Sequence, residues 1–329
     1  MTQVYPIDDS SRIGEIRRAS SAIAREEGLD ETLIGTTALV VTEIATNLLK
    51  HAKQGEIFLS RLSWRSEPGI EILAVDRGPG MADVSRCLAD GYSSATTPGT
   101  GLGAVLRLSR EFDIYSEPGK GTVLVARIRR RDSAKTIIGG VLKPMAGEDE
   151  CGDGWAFRQQ DQKTALMVAD GLGHGMLAAR ASIEAVSTFR RGTDLSPTVI
   201  LRQIHGALRA TRGAAVAVAH IDPLASEVRY AGMGNISGVL VGKDRSTTMI
   251  SHNGTAGYHL PRLQEFSYRI EEQAIIVMHS DGLHTGWTLD SYPGLRRRDP
   301  SVIAGVLYRE CTRNRDDACV VVLKIGDDF

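Results

Sequence analysis

The 329-residue sequence holds four cysteines, Cys87, Cys151, Cys311 and Cys319, and no two of them form a CxxC pair. That spacing argues against a disulfide framework and against a cysteine-built zinc site. No charge of one sign dominates: the net charge is -1, with 17 basic and 17 acidic residues through Arg131 and 22 against 23 after it. Neither half carries the basic bias of a nucleic-acid binder, so no nucleic-acid partner is expected. No uninterrupted apolar run approaches the roughly 20 residues that cross a bilayer. The opening MTQVYPIDDS has neither the charged start nor the apolar centre of a signal peptide. A cytoplasmic chain without a membrane partner is the expectation. Internal repeats and low-complexity segments are also missing.

What is present is enough apolar material for about two domains, with 42% hydrophobic and 24% charged residues. One stretch, ALMVADGLGHGMLAARAS at 165–182, orders the rest. A buried apolar run ends in Asp170, passes a glycine turn and enters a small-residue helix, which presents the carboxylate at a sheet edge. A lone Asp-Gly after a strand is usually only a turn. Asp170 becomes a chemical candidate if other strand ends carry carboxylates too.

The first half reads as a strand at 3–7, a helix begun by Asp8, Asp9, Ser10 and Ser11 and stopped at Gly28, and a second helix from Asp30 to His51. On that second helix Glu43 and Asn47 share a face, with Lys50 and His51 one turn further on. Taken alone they are a solvated polar face. Strands at 56–62 and 70–75 then lead into Asp76-Arg77-Gly78-Pro79-Gly80, a carboxylate before a glycine turn where bare backbone can close on a flat ligand. Pro98-Gly99-Thr100-Gly101-Leu102-Gly103 opens a further helix, and glycine backbone at a helix N-terminus suits phosphate. Strands at 112–116 and 122–129 close this half. The basic clusters 129–131 and 296–298 read as a linker and a solvated loop.

The ordered set ExxxNxxKH, DxGxG and GTGLG resembles the GHKL ATP-binding fold of histidine kinases, gyrase-type ATPases and anti-sigma serine kinases. The stretch TPGTGLGAVLRLSREFDIYSEPGKGT is similar to the small serine kinases of the anti-sigma and stressosome type. The resemblance covers residues 1 to about 131 and implies a two-layer α/β (Bergerat) sandwich. It implies that Asp76 binds the adenine amino group, with Gly78 and Gly80 shaping the pocket. Asn47 would hold Mg²⁺ against the phosphates of ATP, and Gly101, Leu102 and Gly103 would wrap the phosphate tail. Glu43 would be the general base on a protein serine, and Lys50 would sit near the phosphates or be a plain surface lysine.

After a junction near residue 132 the pattern restarts. Asp153, Asp170, Asp281 and Asp316 each fall at an expected strand boundary, three of them before glycine. Four carboxylates brought together would repel one another unless cations lay between them. Oxygen donors without a His/Cys cluster point to Mg²⁺ or Mn²⁺. Cys151-Gly152-Asp153, DGLGHG, SDGL and DDA in this order resemble the metal-dependent serine/threonine protein phosphatases, in particular the SpoIIE-type branch. The resemblance covers about 135–326, so residues 132–329 are expected as an αββα sandwich and the whole chain as α+β. It implies a two-metal centre with Asp153, Asp170 and the Gly171 carbonyl on one side and Asp281 and Asp316 on the other. His174 is open between a water-orienting and a structural role, and His279 and His284 are expected to pack.

Together the resemblances imply a bifunctional serine/threonine kinase–phosphatase of bacterial partner-switching signalling, acting on a STAS-type antagonist or scaffold protein. Two alternatives stay open. The ATP-binding half could sense nucleotide and gate the phosphatase, or the chain could be a non-catalytic switch that sequesters an anti-sigma or sigma factor. Kinases of this kind suggest a homodimer through the ATP-binding domain.

Overall fold

A computed structural model of the chain describes residues 2–62, 68–88, 101–130, 137–260, 262–271 and 273–326. The expected boundary at residues 131 and 132 and the Pro98-Gly99-Thr100 part of the glycine motif lie outside them. Two compact units emerge: Met1–Thr136 with Tyr292–Arg309, and Ile137–Ser291 with Glu310–Phe329.

In the first unit β1 (Thr2–Ile7), α1 (Ser10–Glu26), α2 (Glu31–His51), β2 (Gly55–Arg61), β3 (Gly69–Val75), α3 (Val84–Leu88), α4 (Gly101–Leu108), β4 (Glu111–Glu117) and β5 (Gly121–Arg129) follow in order. The strands make one antiparallel sheet in the order β1-β2-β3-β5-β4. Side-chain alternation sends Ile57, Leu59, Ile70, Ile72, Leu124 and Ala126 to one face, where they meet Ile16 and Ile23 of α1 and Val40, Val41 and Ile44 of α2. Both long helices begin at an aspartate cap: Asp9 accepts the Ser11 N–H at 2.7 Å and Asp30 accepts the Leu33 N–H at 2.9 Å. Averaged over its length α2 is apolar enough to cross a membrane, but Ile34, Val40, Val41, Ile44 and Leu48 are used in this core.

The opposite sheet face receives a segment from far along the chain. Helix α7 (Pro300–Cys311) and the residues just before it pack there. Arg127, with no exposed side-chain surface, donates to Glu71 at 2.7 Å, to Glu111 at 2.8 Å and to both oxygens of Asp299 at 2.6 and 2.8 Å. Burial pulls the Arg127 guanidinium down, and Asp299 and Glu71 more than restore it, so it stays charged. Ser301 Oγ donates to Glu71 at 3.0 Å, and Tyr308 donates to Glu56 at 2.6 Å while meeting Phe58 edge to face. A Cβ on Gly305 would stand 2.7 Å from Val123, so glycine allows this close approach. The two basic clusters therefore differ from expectation. Arg129 is a buried residue of β5 paired with Glu111, and Arg298 pairs with Asp113 at 3.1 Å. Charge runs read as solvated because their acidic partners are distant in sequence.

The second unit stacks two five-stranded antiparallel sheets. Its elements are β6 (Ile138–Lys143), β7 (Asp153–Gln160), β8 (Lys163–Gly171), α5 (Met176–Arg191), α6 (Pro197–Ala207), β9 (Ala214–Asp222), β10 (Glu227–Met233), β11 (Ser237–Val241), β12 (Ser246–Met249), β13 (Phe266–Arg269), β14 (Ala274–His279) and β15 (Ala318–Ile325). One sheet runs β13-β10-β9-β8-β7 and the other β12-β11-β14-β15-β6. Helices α5 and α6 cover the first sheet, with Ala181, Ala185, Phe189, Ile200 and Ile204 against Met167, Ala169, Val216 and Val218. The α+β class and the sheet sandwich agree with the sequence pattern.

Candidate active sites

In the first unit β3 is buried along its length and delivers Asp76 to its tip, where the Asp76 N–H donates to the Thr122 carbonyl at 2.9 Å. Its side chain turns inward, and Oδ1 accepts the Gly78 N–H at 2.6 Å. Burial raises the Asp76 carboxyl above its usual range, an effect the Gly78 N–H partly offsets. The glycines are sterically required. A Cβ on Gly80 (φ +67°) would stand 2.1 Å from the Glu117 carbonyl, and one on Gly78 would stand 3.0 Å from the His51 carbonyl. The DxGxG turn is thus pressed between the end of α2 and the β4–β5 turn.

Asn47 faces the second glycine motif: a Cβ on Gly101 would lie 3.9 Å from Asn47 Nδ2. Gly101 opens α4, where Gly103 is buried and the Leu102 side chain packs against the core. Glu43 is half-buried one turn before Asn47, and Lys50 is exposed in the last turn of α2.

In the second unit the antiparallel register of β7 and β8 sets Asp153 opposite Asp170. The Gly171 N–H donates to the Gly152 carbonyl at 3.0 Å and locks the two strand ends. On the other sheet, Asp281 follows β14 and Asp316 precedes β15. The two loops are laced by backbone: the His284 N–H donates to the Cys311 carbonyl at 2.8 Å and the Arg313 N–H to the Gly282 carbonyl at 2.9 Å. Gly282 sits so close that a Cβ there would stand 1.9 Å from the Asp317 carbonyl. Gly282→Ala is therefore expected to destabilise the fold by about 1–3 kcal/mol by overpacking. Chemical denaturation should show a lowered midpoint with an unchanged slope.

Several supporting groups carry no sequence signal of their own. Ser280 Oγ donates to Asp153 Oδ2 at 2.6 Å and accepts the Cys319 N–H at 3.1 Å, joining one sheet to the other. Asn235 donates to Asp281 Oδ2 at 2.7 Å. Asp317, the buried neighbour of exposed Asp316, accepts the Met145 N–H at 2.8 Å and so pins the loop before β7. The adjacency of Ser280 to Asp281 and of Asp317 to Asp316 was the only hint available.

The three histidines separate. His174 pairs with Glu148 at 2.6 Å. His279 is buried, donates from Nδ1 to the Ser280 carbonyl at 2.7 Å and accepts from Trp287 at 3.3 Å, as a packing role requires. His284 is exposed and lines a cavity with Asp281 and Asp316, against the expectation that it packs, because backbone lacing holds its loop at the rim. Cys151 is half-buried, and burial followed by the Asp153 charge pushes its thiol up, which makes it a poor nucleophile.

Electrostatics draw the carboxylates into one group. Asp170 is pushed up to about 7, by burial first and then by Asp281, Asp316 and Asp317. Buried Asp153 is raised well above the carboxylate range by burial and then by Asp170. Among the described residues, no three His, Cys, Asp or Glu side chains form a tight metal cage as they stand. The donor set nevertheless fits a hard divalent cation: it is all oxygen, it is mutually repelling, and it is held at strand ends by Ser280, Asn235 and the Gly171 backbone. Raised Asp170 stabilises the fold below its unfolded value near 4, and that contribution is lost as pH climbs through its folded value of about 7. Cation binding competes with those protons. Mn²⁺ added to chelator-stripped protein should therefore raise Tm by several degrees at pH 8 and by little at pH 5, as calorimetry would show.

Fold and sites together define a chain with a kinase-type ATP-binding domain ahead of a metal-dependent phosphatase domain. The chain belongs to the family Stage II sporulation protein E (SpoIIE), which matches residues 160–326. A histidine kinase-like ATPase domain matches residues 8–128. The serine/threonine-protein kinase RsbT of Bacillus subtilis (strain 168) is 32% identical over 110 residues, which are 33% of this chain and 83% of RsbT. The phosphoserine phosphatase RsbX of the same organism is 24% identical over 168 residues, 48% of this chain and 79% of RsbX. A solved structure from work on the bacterial stressosome, described as a modular system adapted to control secondary messenger signaling, aligns with TM-score 0.52 and 28% identity. It covers 57% of this chain and 99% of its own.

Proposed function

We propose that this chain is a bifunctional switch enzyme that transfers phosphate from ATP to a serine or threonine of a STAS-type protein and also removes it. The observation that carries the phosphatase half is the gathering of carboxylates at strand ends: the register sets Asp153 opposite Asp170, burial raises both, Asp170 raises Asp153 further, and Asp281 and Asp316 raise Asp170. Asp153, Asp170, the Gly171 carbonyl, Asp281 and Asp316 would hold two Mn²⁺ or Mg²⁺ ions. Such a pair supplies an activated water and a clamp on the phosphoryl oxygens. The chain's own part is to fix the donors: Ser280 orients Asp153, Asn235 orients Asp281, and the 282–284 and 311–313 lacing keeps Asp281 beside Asp316.

For the kinase half, Asp76 with Gly78 and Gly80 would receive adenine, and Gly101, Leu102 and Gly103 would offer backbone N–H groups to the phosphates. Asn47 would hold Mg²⁺, Lys50 would flank the phosphate tail, and Glu43 would take the proton of the acceptor hydroxyl. A cytoplasmic location suits a STAS-type substrate. A homodimer through this domain would have to use a surface other than the sheet face that α7 covers.

A second reading, in which nucleotide gates the phosphatase, is favoured by one contact. Arg77, next to Asp76, donates to the Arg309 carbonyl near the end of α7, seven residues before Asp316 in the chain. Phosphate release from a phosphorylated STAS protein, measured with and without Mn²⁺ and with and without ATP, tests both readings. Metal-independent release would contradict the first, and a rate indifferent to ATP would contradict the second.

A further inference from the structure

Beside the carboxylates lies an open cavity of about 550 Å³ lined by Asp281, His284, Thr312, Arg313, Arg315 and Asp316. Its composition is unusual for a cation site, since two guanidiniums and an imidazole share the lining with two acids. Arg313 and Arg315 are exposed, and among the described residues neither is engaged in an ion pair, even with the carboxylates of the same cavity. The loop that carries them is held in place. The Leu283–Thr312 bridge and the hydrogen bonds from His284 to Cys311 and from Arg313 to Gly282 fix its backbone against the Asp281 loop.

An anion approaching Asp281 and Asp316 meets repulsion from both. A planar, permanently charged fork beside them is the group that offsets that repulsion and recognises phosphate oxygens by paired N–H donors. We infer that Arg313 and Arg315 form a phosphate-recognition subsite for the phosphoseryl or phosphothreonyl group of the protein substrate. The Thr312 hydroxyl and the His284 ring complete the lining. The inference rests on the phosphatase reading and adds to it the residues that seat the phosphoryl group.

The full-length chain is assayed in Mn²⁺ with para-nitrophenyl phosphate, with inorganic phosphate as competing product. Arg313→Met and Arg315→Met are each expected to raise KM and the inhibition constant of inorganic phosphate about tenfold, the loss of a charge-assisted hydrogen bond. Arg315→Lys should recover part of this, keeping the charge without the fork. Calorimetric titration of inorganic phosphate into the Mg²⁺-loaded proteins should show the same weakening, with circular dichroism confirming the folded state of each variant. Unchanged KM, inhibition constant and calorimetric affinity in both methionine variants would overturn the subsite and leave the phosphatase reading in place. A wild-type chain without metal-dependent hydrolysis would remove both.

Discussion

Asp170→Ala is expected to lower metal-dependent release of phosphate by on the order of a thousandfold, the scale of the several kcal/mol that metal-ion catalysis contributes. Asp170 faces Asp153 in the strand register and senses Asp281 and Asp316, so its loss empties the middle of the donor set. A second consequence separates a ligand from a merely structural aspartate. The raised Asp170 is a source of charge strain without cation, so the alanine variant should be as stable as wild type or more stable in chelator at pH 8. It should also lose the stabilisation by Mn²⁺. A variant that unfolds in chelator yet still gains stability from Mn²⁺ would show that Asp170 holds up the loop and does not hold the ion. Phosphotransfer from ATP, carried by the other half of the chain, should continue in this variant.

Glu43→Gln is expected to do the reverse. Positioned general bases contribute about a hundredfold to ten-thousandfold, and phosphotransfer to a STAS protein should fall by that amount. Binding of ATP, read by fluorescence of a nucleotide analogue, should change by less than about threefold, because Glu43 lies about two turns of α2 before His51, against which the Asp76–Gly78 turn packs. Equal loss of binding and transfer would place Glu43 in nucleotide binding and remove the general-base role.

Much of this is legible in the sequence alone. The fold class, the strand ends that carry Asp76, Asp153, Asp170, Asp281 and Asp316, and the helix that carries Glu43 and Asn47 all follow from apolar period and glycine position, which are local properties of the chain. The groups that orient the carboxylates are not local. Ser280 reaches Asp153 across 127 positions, and Asp317 reaches Met145 across 172, so neither pairing has a period or spacing to betray it. The same reason hid the destination of Tyr292–Arg309. An apolar helix between SDGL and DDA reads as part of the phosphatase half, and nothing in it announces that Asp299 and Ser301 complete a network around Arg127 in the first unit. His284 reads in the sequence as a packing residue, and it and the arginines at 313 and 315 acquire their meaning only where backbone lacing gathers them at one cavity.

On the function proposed above, one chain both adds and removes the same phosphate. The most direct test follows the intact mass of a STAS protein incubated with the full-length chain, first in ATP and Mg²⁺ and then after ATP is depleted and Mn²⁺ is added. Gain of one phosphoryl group is expected in the first phase and its loss in the second, with Glu43→Gln blocking the gain and Asp170→Ala blocking the loss. A STAS protein that never gains phosphate, or that gains it and keeps it in Mn²⁺ with the wild-type chain, would rule out that double activity.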